Sequence, residues 1–239
     1  MRDRLAQLVD ERERVLSAFI EAEKGRIALA CHAMARRFAR GGILIPFGTG
    51  PATTDAAHVA VEFMHPVIVG KRALPALAPT NDPTGGSSLA RLGHPDDIAL
   101  GLVHGPEDPA VTGFIHEARK RGLLTIAMTG AGGAPEADHA FIAPSDDPQV
   151  VQEVQETAYH VLWELVHVFF EHPGLLDDAC ITCGDVAVQA RVVVVRNGTA
   201  VIEKDGLREE VLVDLVEGVD VGDVLLCHAG VALEKVPLR

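Results

Sequence analysis

The sequence predicts an α/β domain built on a parallel sheet, followed by a smaller all-β domain. Three observations carry this prediction. Strand-like runs at residues 43–47, 98–103 and 123–128 are separated by helical patterns, the alternation that gives a parallel sheet covered by helices. From Cys180 onward helical periodicity disappears and β-branched residues dominate. The chain has 239 residues, 48% of them hydrophobic, enough for two ordinary domains that each bury a core.

The elements follow in order. Residues 3–40 read as a helix, with Leu5, Leu8, Val9, Leu16, Phe19 and Ile20 recurring at near-helical spacing. Gly41-Gly42 stops it, and residues 43–47 form a buried strand candidate. Gly48-Thr49-Gly50-Pro51 is a turn, after which Thr53 or Thr54 is placed to cap a helix reaching about residue 64. Further strand-like runs lie at residues 74–78, 98–103 and 123–128, the last two flanking a helix over residues 107–121 that ends at Gly122. Ser145-Asp146-Asp147-Pro148 offers a cap and a first-turn proline for a long helix over residues 149–171, ended by Pro173-Gly174. Beyond a short linker, Val186, Val188, residues 192–195, Val201-Ile202 and residues 211–213 are strand-forming, with Asn197-Gly198 and Asp205-Gly206 as hairpin turns. The expected domains are residues 1–176 and 177–239.

Composition narrows the function classes. A net charge of -13 is the wrong sign for a nucleic-acid footprint, which needs a basic face. No apolar run is long enough for a membrane span. The charged opening Met1-Arg2-Asp3-Arg4 leads into an amphipathic pattern rather than a signal peptide. Four cysteines without a dense framework fit a reducing compartment, so the expected location is the cytoplasm.

His58 and Glu62 lie four apart on the helix after the glycine turn and share a face. Gln152 and His160 lie eight apart on the last long helix, on nearly the same side. Such a set can move protons or bind a divalent metal. Taken alone, a helical His–Glu pair is more often simply solvated, and Tyr159, Trp163 and Phe169 read as core. The glycine turn alone is weak evidence for phosphate binding.

The segment from Gly48 through Thr53 and His58 to Glu62 resembles the turn-and-helix segment of the phosphoheptose isomerases, which are sugar-isomerase (SIS) domains, and Gln152 and His160 match the spacing of that family's last helix. The resemblance covers about residues 20–172. It implies a three-layer α/β/α SIS fold that pairs into a homodimer or homotetramer. It also implies a sugar-like ligand near Gly48, Thr49, Gly50 and Thr53, and Glu62 with His160 as the acid–base pair. Some members hold zinc, which makes a zinc site on His58, Glu62, Gln152 and His160 an expectation. The chain departs from the family's hydroxyl-rich phosphate loop: Val103-His104-Gly105-Pro106-Glu107-Asp108-Pro109 carries two carboxylates instead, and Ala52 replaces a serine. Carboxylates repel a phosphate dianion. The domain is thus either a retained pocket for an unphosphorylated or cationic ligand or a scaffold with remnant polar residues.

Cys180-Ile181-Thr182-Cys183-Gly184, the Asp205-Gly206-Leu207-Arg208-Glu209-Glu210-Val211 stretch and the close from Gly222-Asp223 to Cys227-His228-Ala229-Gly230-Val231-Ala232 resemble the HypC/HupF hydrogenase assembly chaperones. That resemblance implies a small OB-like barrel. It also implies that Cys180 transiently carries an iron fragment, working with a HypD-type scaffold protein and the hydrogenase large-subunit precursor. A thiolate suits such work as a soft ligand. Here Cys180 is internal, the usual Pro-Gly-Lys stretch is absent, and Cys183 adds a second thiol. A structural zinc site, a redox pair and a pair of partly buried structural cysteines remain alternative readings. A zinc site would draw on Cys227-His228, whose adjacent side chains point to opposite faces of a strand. Cys31 reads as core. The leading function is a hydrogenase maturation accessory protein, and the competing one is a phosphosugar isomerase of the sedoheptulose 7-phosphate type.

Overall fold

The structure, a computed structural model, describes residues 2–79, 93–172, 176, 182, 187–204 and 206–236. The chain order is α1 (Arg2–Ala39), β1 (Leu44–Gly48), α2 (Ala52–Met64), β2 (Ile98–Leu102), α3 (Pro109–Lys120), β3 (Leu124–Thr129), β4 (His139–Ile142), α4 (Pro148–Glu171) and five strands, β5 (Val188–Val195), β6 (Thr199–Lys204), β7 (Leu207–Leu212), β8 (Val224–His228) and β9 (Val231–Val236). Two compact units result, one of Met1–Glu23 and Arg37–Glu164, the other of Lys24–Arg36 and Leu165–Arg239. Among the described residues, no helix is long and apolar enough to cross a membrane.

The first unit is an α/β domain. Its sheet runs β1-β2-β3-β4, all parallel, with Gly48 opposite Leu102 and Leu102 opposite Met128. Every residue of β1, β2 and β3 is buried. Alternate side chains of a strand face opposite ways, so full burial requires cover on both faces, the three-layer arrangement. One core cluster joins Ile45, Phe47 and Ala99 to Val111, Phe114 and Ile115 of α3.

Several expected details change. Residues 74–78 are extended but form no strand. Pro75 lacks an N–H, and among the described residues pairing is limited to one bridge between Leu44 and Ala76. The short strand β4 was not foreseen; Asp138 fixes its start by accepting the Thr125 backbone N–H at 2.8 Å and hydroxyl at 2.7 Å. Neither Thr53 nor Thr54 caps α2. The helix begins earlier, after Pro51, and both hydroxyls turn back to donate to the carbonyls of Gly48 and Pro51. On α1, Leu5 and Val9 are exposed, and Val15 and Phe19 are the buried positions of its first half. The caps of the later helices follow the sequence: Asp147 accepts the Gln149 N–H ahead of Pro148, and Gly122 follows α3 with φ of 80°.

The second unit contains a closed barrel, β5-β6-β7-β9-β8. Gly198 and Gly206 sit at the tight turns with φ of 79° and 82°, a region where a side chain would be strained. Small and aliphatic residues fill the interior, among them Ala190, Val192, Ala200, Ile202, Val211, Leu225 and Cys227. At its edge, Thr182 and Glu209 are both buried. The Glu209 carboxylate accepts the Thr182 N–H at 3.0 Å and its hydroxyl at 2.7 Å, while Gly230 N–H donates to the Thr182 hydroxyl at 2.7 Å.

Candidate functional site

The first unit gathers its ionisable side chains outside the carboxyl ends of β1 and β2, where ligands bind in parallel α/β sheets. Three segments supply them. The turn after β1 is shaped by glycine: a Cβ on Gly48 would lie 2.5 Å from the Ala52 carbonyl oxygen, and Gly50 has φ of 53°. That turn launches α2, whose face carries Asp55, His58 and Glu62 one helical turn apart. The facing side chains of α4 are Gln152, Gln155, Glu156, Tyr159 and His160, and His104 follows β2.

Two linked clusters form. In the deeper one, Asp55 accepts the Gln152 amide N–H at 3.0 Å through Oδ1 and binds His104 Nε2 through Oδ2. The Asp55 and His104 side chains are only 11% and 10% exposed, so each supplies the partner that makes the other's burial tolerable. Gln155 donates to the Val103 carbonyl at 2.7 Å. In the outer cluster, His58 lies 3.2 Å from Glu62 through Nε2 and 3.0 Å from the Tyr159 hydroxyl through Nδ1. Burial pushes the Tyr159 hydroxyl above the ordinary tyrosine range, and the nearby Glu156, Asp55 and Glu62 carboxylates push it further. The phenol therefore keeps its proton and can donate it to Nδ1; in the neutral tautomer that accepts it, Nε2–H donates to Glu62. The His160 ring lies 5.3 Å from that of His58, and ligand atoms of His58, Glu156 and His160 all fall within 4.8 Å of one another.

Of the residues singled out from the sequence, His58, Glu62 and His160 thus meet on the α2–α4 face, while Gln152 is engaged by Asp55. Asp55, His104, Glu156 and Tyr159 join them without having been singled out as site residues. The i, i+4, i+8 polar series Gln152, Glu156, His160 was the available signal for Glu156. Tyr159 is buried as expected, yet its hydroxyl is part of the site. At the glycine turn, the N–H groups of Ala52, Thr53 and Thr54 donate to the carbonyls of Thr49, Gly50 and Pro51. On the loop after β2, Asp108 accepts the N–H groups of Ala110 and Val111 at 2.8 and 3.3 Å. A carboxylate therefore already occupies the start of α3, where an anionic ligand would find its donors.

In the second unit, Cys180 and Cys183 lie outside the described residues. Cys227 is fully buried, and its thiol is pushed up to about 12 by burial and, less, by Glu209. Burial also raises the thiol of Cys31, which sits in the core.

A parallel sheet with a polar cluster at its carboxyl edge is joined in one chain to a small closed barrel. Residues 7–130 match the SIS domain family, and residues 186–238 match the HupF/HypC family. The chain belongs to the SIS domain family and carries a HupF/HypC family domain at its C-terminal end. Among curated relatives, the phosphoheptose isomerase of Solidesulfovibrio magneticus is 31% identical over 70% of this chain and 90% of that protein. The phosphoheptose isomerase of Thermodesulfovibrio yellowstonii is 30% identical over 72% of this chain and 94% of that protein. A phosphoheptose isomerase structure from Francisella tularensis superposes with a TM-score of 0.62 at 22% identity, covering 70% of this chain and 97% of that one. That likeness shows the fold.

Proposed function

We propose that this protein is an accessory factor of hydrogenase maturation. In this reading the HupF/HypC-family barrel docks on a hydrogenase large-subunit precursor and a HypD-type scaffold protein in the cytoplasm, and Cys180 transiently holds an iron fragment as cargo. The SIS domain provides self-association, as a homodimer or homotetramer, or a pocket for a small sugar-like ligand. The observation that carries the reading is the coincidence of the family match over residues 186–238 with a closed five-stranded barrel. The state of the other thiols supports it. Cys31 and Cys227 are fully buried with raised thiol pKa values, the condition of inert cysteines, which leaves Cys180 and Cys183 as the candidates for metal chemistry.

The test is complementation in a host whose hydrogenase depends on this protein. Cys180→Ala abolishes maturation, and Glu62→Gln reduces it less. Full hydrogenase activity with Cys180→Ala refutes the reading.

The second reading is an aldose–ketose isomerase acting on a phosphosugar of the sedoheptulose 7-phosphate type. The meeting of His58, Glu62 and His160 on one face favours it, because acid–base exchange needs such groups within reach of one substrate. The Asp108 cap on α3, with Glu107 beside it, opposes it by placing carboxylates where a phosphate needs donors. Isomerase turnover by the purified protein that Glu62→Gln removes decides for this second reading.

A further inference from the structure

Among the described residues of the barrel strands, Glu209 is the one buried charged side chain. It stands two positions before Val211 on β7 and so shares the inward face of that residue. A carboxylate there is costly unless it is paired. Among the described residues no lysine or arginine pairs with it, and both hydrogen bonds to its carboxylate come from Thr182. A second costly feature meets the same threonine. Ala229, between β8 and β9, has φ of 48° and is the only non-glycine in the left-handed region among the described residues. Its N–H donates to the Thr182 carbonyl at 2.8 Å, and the Gly230 N–H donates to the Thr182 hydroxyl at 2.7 Å. Four hydrogen bonds thus hold the N–H, carbonyl and hydroxyl of Thr182, which is fully buried. An apolar residue at 209 and a glycine at 229 would suit a barrel built for stability alone. These two residues instead converge on one residue outside the strands, and in the sequence that residue stands between Cys180 and Cys183.

We propose that Glu209 and the Ala229-Gly230 turn are positioning residues for the thiols: by seating Thr182 they fix the point on the barrel from which Cys180 and Cys183 are presented to a metal fragment or a partner protein. Glu209 acts through Thr182, because each carboxylate oxygen accepts one of the two Thr182 donors. The hydroxyl of Thr182 joins the two supports, since it donates to Glu209 and accepts from Gly230. Its loss therefore uncouples the carboxylate from the turn while leaving the strands of the barrel in place. The proposal rests on the chaperone reading only for what the thiols carry, and the seat itself is testable without a hydrogenase.

The test treats the reduced full-length chain with iodoacetamide and reads the modification rate of each cysteine by mass spectrometry. Cys31 and Cys227 are buried and report whether the fold persists. Thr182→Val keeps the size of the side chain and removes its hydroxyl, and Glu209→Gln keeps the shape but turns one acceptor into a donor. In both variants Cys180 and Cys183 are expected to react about threefold faster or more, the factor that loss of one hydrogen bond corresponds to, while Cys31 and Cys227 stay unmodified. Thr182→Ser, which keeps the hydroxyl, retains the parent rates. Unchanged rates at Cys180 and Cys183 in either variant overturn the proposal. So does reaction of Cys227 in step with them, which would make the seat a brace of the barrel fold and nothing more. If Cys180→Ala leaves maturation intact while these rates behave as expected, the chaperone reading fails and the seat stands. If Cys180→Ala abolishes maturation while the rates do not change, the chaperone reading stands and the seat falls.

Discussion

The α2–α4 face and the barrel both place ionisable groups among apolar neighbours, but they treat those groups in opposite ways. On the α2–α4 face the groups point to one another across two helices and stay partly open: the side chains of His58 and Glu156 are 38% and 46% exposed. In the barrel Glu209 and Cys227 are closed off. Glu209 spends its carboxylate on Thr182, and Cys227 lies in the apolar interior. An open, partly unsatisfied cluster can change partners when a ligand arrives, whereas a closed and satisfied one can only hold structure. The difference separates a cluster open to a ligand from a clamp.

The sharpest way to break this contrast is at the clamp. Glu209→Ala removes both bonds to Thr182 and leaves its buried N–H and hydroxyl without that acceptor; the expected loss is about 3 kcal/mol, since each buried group left unmade costs about 1–3 kcal/mol. Denaturant unfolding of the full chain measures it, and a loss under about 1 kcal/mol would mean that Thr182 is not held as described. Next in size is the cap on the loop that departs from the family pattern. Asp108→Ala should cost about 1 kcal/mol, typical of a lost helix cap, while Asp108→Asn should cost less because it keeps an acceptor. Smaller on the same scale, Tyr159→Phe removes one hydrogen bond to a partly exposed histidine, with an expected cost of about 1 kcal/mol or below.

A pH experiment sharpens the open side of the comparison. Tyr159 is the single tyrosine of the chain, so ultraviolet titration of the phenolate reports on it alone. Its pKa is raised in the folded chain, mainly by burial. The stability it contributes is therefore complete below the unfolded value of about 10 and declines as the pH climbs toward the folded value. The expected titration shows no phenolate at about pH 10 in the native protein and a normal transition once the chain is unfolded. A native transition at the ordinary value would mean that the hydroxyl is not sealed against His58.

Much of the architecture was legible in local pattern. The strands β1, β2 and β3 are short apolar runs buried on both faces, and such runs need no knowledge of distant partners to be read. The Asn197-Gly198 and Asp205-Gly206 turns announce their hairpins for a similarly local reason, since glycine at positive φ is demanded there. What pattern could not give was long-range. The strand β4 has four residues, of which only Phe141 is fully buried, and its start is fixed by Thr125, thirteen positions away. The run at residues 74–78 looked like a strand because its side chains are apolar, yet a proline backbone cannot complete the ladder. In the site, the shared face of His58 and Glu62 followed from helical spacing. The link between Asp55, His104 and Gln152 joins three separate segments, and nothing in their spacing announced it. Tyr159 was misjudged by half: its ring packs as core, but its hydroxyl reaches α2.

The central claim is that the barrel unit recognises a hydrogenase precursor through a thiol at Cys180, while the α/β unit contributes a pocket or an assembly surface. The direct measurement is capture of the hydrogenase large-subunit precursor by the full chain and by its Cys180→Ala variant, in cells that express both proteins. The account predicts that the parent chain retains the precursor and that the variant, with Cys183 intact, does not. Equal retention by both, with the precursor still reaching its mature form, would contradict it.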